Sequence, residues 1–356
     1  MRTRRTMLAQ LGALSCVSRL FDSAFAESTR SAVGTVQTVL GPISAKQMGV
    51  TAPHEHVLAS STAFLRLWPE YLGGRAHFTE NAVARMKEAK RAGIDTIVDC
   101  TTADLGRDIP LLQEVSRRSG VQIVAATGHW LTPTPSFEAR TADELADFFC
   151  LEINRGMEGT GVKPGVIKAA SEGDQMTPFQ ENVFRAAARA SKRTGLPVTT
   201  HSDARHRGGE KQAQILEQEG LSPLRVCIGH SDESADFDYL AGLAGRGYTL
   251  GFDHLFYGQA SMGGGTDGIP GWEDRAVMIK RLVDAGFVDK IFLASDWMLG
   301  LTLSPTGTFD VLHERNPSGN LFNIRNTIPH LRTIGVSETQ IHTITVLNPA
   351  AFFARS

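Results

Sequence analysis

Two histidines flank one glutamate at His54-Glu55-His56. On an extended strand, alternate side chains share a face, so both imidazoles can reach one metal ion while Glu55 points away. With 11 histidines in 356 residues, an HxH arises by chance in roughly one such chain in three. The triplet therefore carries weight only if ligand-type residues recur elsewhere in matching positions. They do: Lys168, His201, His230 and Asp296 each stand at or next to the end of a short apolar run. Taken singly, each has a plainer reading, as a hydrogen-bonded histidine, a snorkelling or paired lysine, or a turn-capping aspartate. Jointly those readings leave the shared position unexplained. Ionisable groups gathered at one place are repulsive or poorly solvated unless something neutralises them, and two divalent cations would do so. Protonated lysine binds no metal, but a neutral amine can add carbon dioxide to form a carbamate, whose two oxygens can bridge two ions. Glu55, turned away, is expected to be a supporting residue.

The elements that must position these groups are legible as a rhythm. Apolar, β-branched runs fall at 50–57, 95–100, 121–126, 165–168, 196–201, 225–230, 247–252 and 290–296. Runs without polar alternation mark parallel strands buried on both faces. Helical patterns lie between them, among them 80–92, 179–194 and 274–285, each stopped by a glycine (Gly93, Gly195, Gly286). Eight strand–helix units predict an α/β fold, a (β/α)8 TIM barrel whose strand ends converge on one mouth. The runner-up is a doubly wound sheet, which would carry a glycine-rich phosphate turn after its first strand; none is present. His77 and His206 are expected in loops, and His313, His330 and His342 after the eighth strand show no ligand placement.

Composition narrows the rest. The chain is 42% hydrophobic and 21% charged with net charge −2, ordinary for a globular protein and without the basic surface that nucleic acid requires. Residues 1–26 read as an export signal: Arg4-Arg5 precedes an apolar stretch over 7–17, too short to span a bilayer, and Ala24-Phe25-Ala26 offers a cleavage position after Ala26. A twin-arginine signal implies export of the folded, metal-loaded protein by the twin-arginine machinery, to the periplasm or beyond, or in association with the inner membrane. Residues 27–356 would form one domain. Cys16 raises the question of a lipid anchor, but Ala13-Leu14-Ser15 matches a lipoprotein box poorly. Cys100, Cys150 and Cys227 make no disulfide framework, and Cys100 and Cys227 are expected as buried thiols.

The matching stretches run further than the ligands. They include His54-Glu-His56, the segment Phe64-Leu-Arg-Leu-Trp-Pro-Glu70, Ile123-Val-Ala-Ala-Thr-Gly128, Pro197-Val-Thr-Thr-His201, Arg225-Val-Cys-Ile-Gly-His-Ser-Asp232 and Ser295-Asp-Trp297. On these the chain, from about Gly34 to Phe353, resembles the phosphotriesterases of the binuclear-metal amidohydrolase superfamily. The resemblance implies hydrolysis of organophosphate esters, aryl dialkyl phosphates among them, at two divalent metals, zinc first, with cobalt or manganese as alternatives. His54, His56 and Asp296 would hold the more buried ion and His201 and His230 the more exposed one. Lys168 as N6-carboxylysine and a hydroxide would bridge them, the hydroxide attacking phosphorus. Asp296 would pass its proton through His254 to an acidic residue, here Glu233 where aspartate is usual. Ala59, Leu105, Trp130, Leu131, Tyr257, Met298 and Leu301 fall at pocket positions, with Leu131 and Leu301 replacing aromatic residues. The stretch 258–271, containing Gly263-Gly-Gly265, reads as a mobile loop over the mouth. A homodimer is implied, and Phe64, Leu65, Leu67, Trp68 and Tyr71 form a candidate apolar interface. Two other readings stand beside this one. A lactonase of the same superfamily would use the same metals but usually carries a tyrosine after the third strand, where this chain has Thr127-Gly-His-Trp130. An exported binding protein that has lost catalysis would have no reason to keep every ligand.

Overall fold

A short antiparallel hairpin, β1 (Thr35–Thr38) and β2 (Gly41–Ser44), precedes eight parallel strands in the computed structural model, which describes residues 34–173, 175–257, 269–303 and 308–354. The parallel strands are β3 (Thr51–Glu55), β4 (Thr96–Asp99), β5 (Gln122–Gly128), β6 (Val166–Ala170), β7 (Val198–His201), β8 (Val226–Ile228), β9 (Thr249–Phe252) and β10 (Ile291–Leu293). They pair in chain order from β3 to β10. The seam between β10 and β3 is closed beyond the end of β10: Asp296 N donates to His54 O, His56 N to Trp297 O and Ala59 N to Gly300 O, each at 2.9 Å. Sequential order and a closed seam make this a (β/α)8 TIM barrel and exclude the doubly wound sheet, whose order reverses at a switch point.

Helices follow the glycine stops. The segment Pro178–Thr194 starts on a capping box between Thr177 and Gln180, with proline in its first turn, and ends at Gly195 with φ 76°. The other two begin ahead of their apolar patterns, at Arg75–Arg91 and Trp272–Asp284. His77, expected in a loop, is therefore helical and bonds Asn81 one turn on, at 3.0 Å. His206 lies in a short turn of helix, Ala204–His206.

One end of the barrel is plugged. Val98, Cys100, Val124, Ala126, Val166, Cys227 and Phe292 fill its interior and pack against Val36 of the hairpin and Phe352 and Phe353 of the last helix. Cys100 and Cys227 are buried free thiols, as expected, and burial pushes both thiols far above their ordinary pKa. Each aromatic ring so buried contributes about 1.5–3 kcal/mol. Solvent is thus excluded from the hairpin end, and polar chemistry is left to the opposite mouth. The expected export signal, including Cys16, lies outside the described residues, as does 258–268 of the expected loop. Among the described residues no helix is long and apolar enough to cross a membrane.

Candidate metal centre

The ligand-type residues converge at the mouth, although their stations differ from those expected. Lys168 lies in the middle of β6, His230 two residues past β8, and Asp296 three past β10. The two residues past strand ends turn inward by adopting left-handed backbone, φ 56° at His230 and φ 45° at Asp296. This conformation costs a non-glycine residue of order 1–3 kcal/mol and persists where the surroundings enforce it. At Asp296 the enforcing group is Glu55, whose buried carboxylate accepts from Ser295 N (2.8 Å) and Trp297 N (3.0 Å). The glutamate that strand geometry turns out of the site therefore clamps the turn that carries a ligand. At His230 the approach depends on Gly229, where a Cβ would lie 2.0 Å from Thr200 O.

Within the cluster, Lys168 Nζ lies 2.7 Å from His54 Nε2. Asp296 Oδ1 lies 3.0 Å from His56 Nε2 and 3.5 Å from His54 Nε2. The outward nitrogens are occupied: His54 Nδ1 and His230 Nδ1 donate to the two oxygens of Asp253, at 2.7 and 2.8 Å. His56 Nδ1 pairs with Thr101 Oγ1 at 2.8 Å, and that hydroxyl in turn donates to Leu58 O. With their protons on Nδ1, His54 turns its Nε2 lone pair toward Lys168 Nζ and Asp296 Oδ1, and His56 turns its own toward Asp296 Oδ1, a buried carboxylate oxygen with no hydrogen-bond donor. Lone pairs converging on an anionic oxygen need a cation between them, so these residues fit a metal ion. Donor atoms of His54, His56 and Asp296 all lie within 4.8 Å of one another. A second grouping, His54, His230 and Asp253, uses nitrogens already engaged by hydrogen bonds and is a support. His201 Nδ1 and His230 Nε2 face each other at 2.7 Å and supply two further donors.

Electrostatics follow from burial. Desolvation, then Lys168, pushes the His54 pKa well below its ordinary value; desolvation, then His254, does the same for His230. Both are thereby kept neutral, the form that binds metal. Burial alone would raise the pKa of Asp296, but the nearness of His54, the hydrogen bond with His254 and the nearness of His56 hold it well below the carboxylate range. At His254 burial disfavours the proton, yet hydrogen bonds to Asp296 and Glu233 hold the pKa well above normal. The three form a chain: His254 Nε2 is 2.9 Å from Asp296 Oδ2, and His254 Nδ1 is 2.8 Å from Glu233 Oε1. The extra methylene of Glu233 leaves the contact within hydrogen-bond range.

Above the cluster a cavity open to solvent is bounded by His54, His56, Lys168, His201 and Asp296 and walled by Ala59, Leu105, Trp130, Met298 and Leu303. Leu131 and Leu301, expected in the pocket, do not line it. Leu301 is buried and bridges to Ala59 along the closing seam. Leu131 is half-buried next to Trp130. Leu303 takes the wall position. Tyr257 ends a short turn of helix, Leu255–Tyr257.

Sequence reasoning missed several supports. Asp253 directly follows β9, a strand-end acid that the same positional rule could have found. Arg275, fully buried, pairs with Asp232 at 3.0 Å and donates to His254 O and Pro270 O; Asp232 in turn accepts from Asp253 N and His254 N. Nothing local marks that pair. Asp99 holds Val57 N at 2.8 Å and Thr101 N at 3.0 Å, and Asp104 holds Trp130 N at 3.1 Å. His201 Nε2 lies 3.4 Å from Glu172, and the histidine lowers the pKa of that carboxyl.

Residues 34–353 match the model of the Phosphotriesterase family. A phosphotriesterase homology protein of Mycobacterium tuberculosis is 35% identical over 332 residues, 90% of this chain and 98% of that protein. An aryldialkylphosphatase of Saccharolobus solfataricus is 34% identical over 315 residues, 88% and 97% of the two chains. An N-acetyltaurine hydrolase of Danio rerio is 27% identical over 348 residues, 89% and 97%.

Proposed function

The chain belongs to the Phosphotriesterase family, a family of metal-dependent hydrolases, and from that premise we propose that it hydrolyses phosphoric triesters of the aryl dialkyl phosphate type. The observation that carries the reading is the division of labour within Asp296. Its Oδ1 faces the histidine lone pairs while its Oδ2 is bonded to His254, which is bonded to Glu233. One carboxylate thus joins a metal-binding face to a proton exit. His54, His56 and Asp296 would hold one divalent ion, and His201 and His230 the other, with Lys168 as a carbamate completing both sets. Zinc is the first choice, with cobalt or manganese as alternatives. When bound, such a pair supplies a nucleophile from water at neutral pH and polarises the phosphoryl oxygen. Asp296 Oδ2 passes the released proton to His254 Nε2, and Glu233 Oε1 stabilises the imidazolium. Ala59, Leu105, Trp130, Met298 and Leu303 receive the ester groups in an apolar pocket.

Support comes from the aryldialkylphosphatase relative. The amide-hydrolase relative shows why the ester class needs direct testing. The full chain loaded with zinc or cobalt should release the phenol from an aryl dialkyl phosphate, and a chelator should abolish the release. Efficient opening of lactones with triesters untouched would replace this reading with a lactonase. Lys168→Ala should lose bound metal, measured by elemental analysis; two ions and full activity in that variant would remove the carbamate from the scheme.

A further inference from the structure

Three of the four histidines in the cluster have their outward ring nitrogen held by a buried acceptor: His54 and His230 by Asp253, His56 by Thr101. His201 is turned the other way. Its Nδ1 faces inward, 2.7 Å from His230 Nε2, so its outward nitrogen is Nε2. The group facing that nitrogen is Glu172, in the loop after β6, with Oε2 at 3.4 Å. We propose that Glu172 is the positioning carboxylate of His201, orienting its ring and raising its basicity toward the ion it shares with His230. The inference rests on the two-metal reading above.

Two features set this support apart. Asp253 serves two rings from a buried position, whereas Glu172 serves one ring with its side chain 52% exposed. His201 is itself the most exposed of the four, with 13% of its side chain accessible. An outer carboxylate accepting from a ligating imidazole fixes the tautomer and orientation of the ring, and its removal costs about tenfold to a hundredfold in metal affinity. The cost should fall on one ion only, because Glu172 touches none of the groups that meet at Asp296 Oδ1. It should leave the metal-free fold unchanged, because a half-exposed carboxylate at a loop is solvated in either form.

The test uses the full chain loaded with Co2+ and dialysed against graded chelator, counting cobalt per chain by elemental analysis for wild type, Glu172→Gln and Glu172→Asp. Thermal unfolding of the metal-free forms is followed in parallel. The expected result is that Glu172→Gln loses one of its two ions at roughly tenfold higher free cobalt than wild type. The other ion should stay at its wild-type position, the melting temperature should be unchanged, and Glu172→Asp should recover part of the loss. Wild type holding two ions and Glu172→Gln holding both as tightly would overturn the inference while leaving the functional reading intact, as would equal weakening of both ions. Fewer than two ions in wild type would overturn the functional reading and this inference with it.

Discussion

Asp253 is the residue on which the cluster turns. One carboxylate accepts from two rings, His54 and His230, and from His230 N, so it sets the direction of a nitrogen in each of the two proposed ion sites. Asp253→Ala would leave two buried ring N–H groups without an acceptor, each costing about 1–3 kcal/mol. The expected outcome is loss of both ions at chelator levels that wild type resists, together with a lower denaturation midpoint of the metal-free protein. Retention of two ions at wild-type affinity would show that the rings are held by packing alone. The contrast with Glu172→Gln, expected to weaken one ion and not the fold, separates the two carboxylates by experiment.

At the scale of the element, the seam between β3 and β10 carries the site. The strands stop short of one another, and the turn holding Asp296 completes the barrel through Asp296 N to His54 O and His56 N to Trp297 O. Glu55, 2% exposed, clamps this turn with both oxygens. Burial, against its backbone hydrogen bonds, pushes the Glu55 pKa well above normal, so the carboxylate depends on those two N–H donors. Glu55→Gln keeps one acceptor and sets an amide NH2 against the other N–H. It should cost about 1–3 kcal/mol, read by urea denaturation, and lower kcat more than it raises KM, because it displaces Asp296 rather than the pocket walls. A variant with wild-type stability and wild-type kcat would refute the clamp. The strand ends themselves were legible because apolar runs are local and β-branched. Their exact stations were not, since His230 and Asp296 reach the cavity through left-handed turns that local periodicity does not report.

On the whole molecule, the hairpin and the last helix seal one end of the barrel, leaving the opposite mouth as the place where charge, apolar wall and solvent meet. The outer surface carries an apolar group at Leu67, Trp68 and Tyr71, exposed by 57%, 53% and 46%. Phe64 packs within this group, 4.7 Å from the Trp68 ring and 4.9 Å from that of Tyr71. Leu65 is buried at 1% and belongs to the core, so a homodimer through this segment, a short helix Phe64–Leu67 followed by a turn of helix at Tyr71–Gly73, would use the other four residues. Large exposed apolar side chains gathered in one segment favour association. Trp68→Asp should convert a dimer to a monomer in light scattering without lowering the melting temperature of the monomer. A wild type that is monomeric at all concentrations would remove the proposal.

By itself, the sequence determined the class of chemistry and the frame that holds it. Apolar runs of strand length alternate with glycine-stopped helices, and ligand-type residues stand at the run ends, because both patterns depend on neighbours a few residues apart. Only the tertiary structure decided how those groups are held. Asp253 meets His54 from 199 residues away, and Arg275 and Asp232 steady the backbone of His254 from inside the core. Leu303 walls the cavity where Leu131 and Leu301 were expected, and Glu172 reaches His201 from a loop. These contacts depend on the paths of loops beyond the strand ends and on which nitrogen of each ring faces inward. Those are three-dimensional facts, set by the closure of the barrel, and no run of neighbouring residues encodes them.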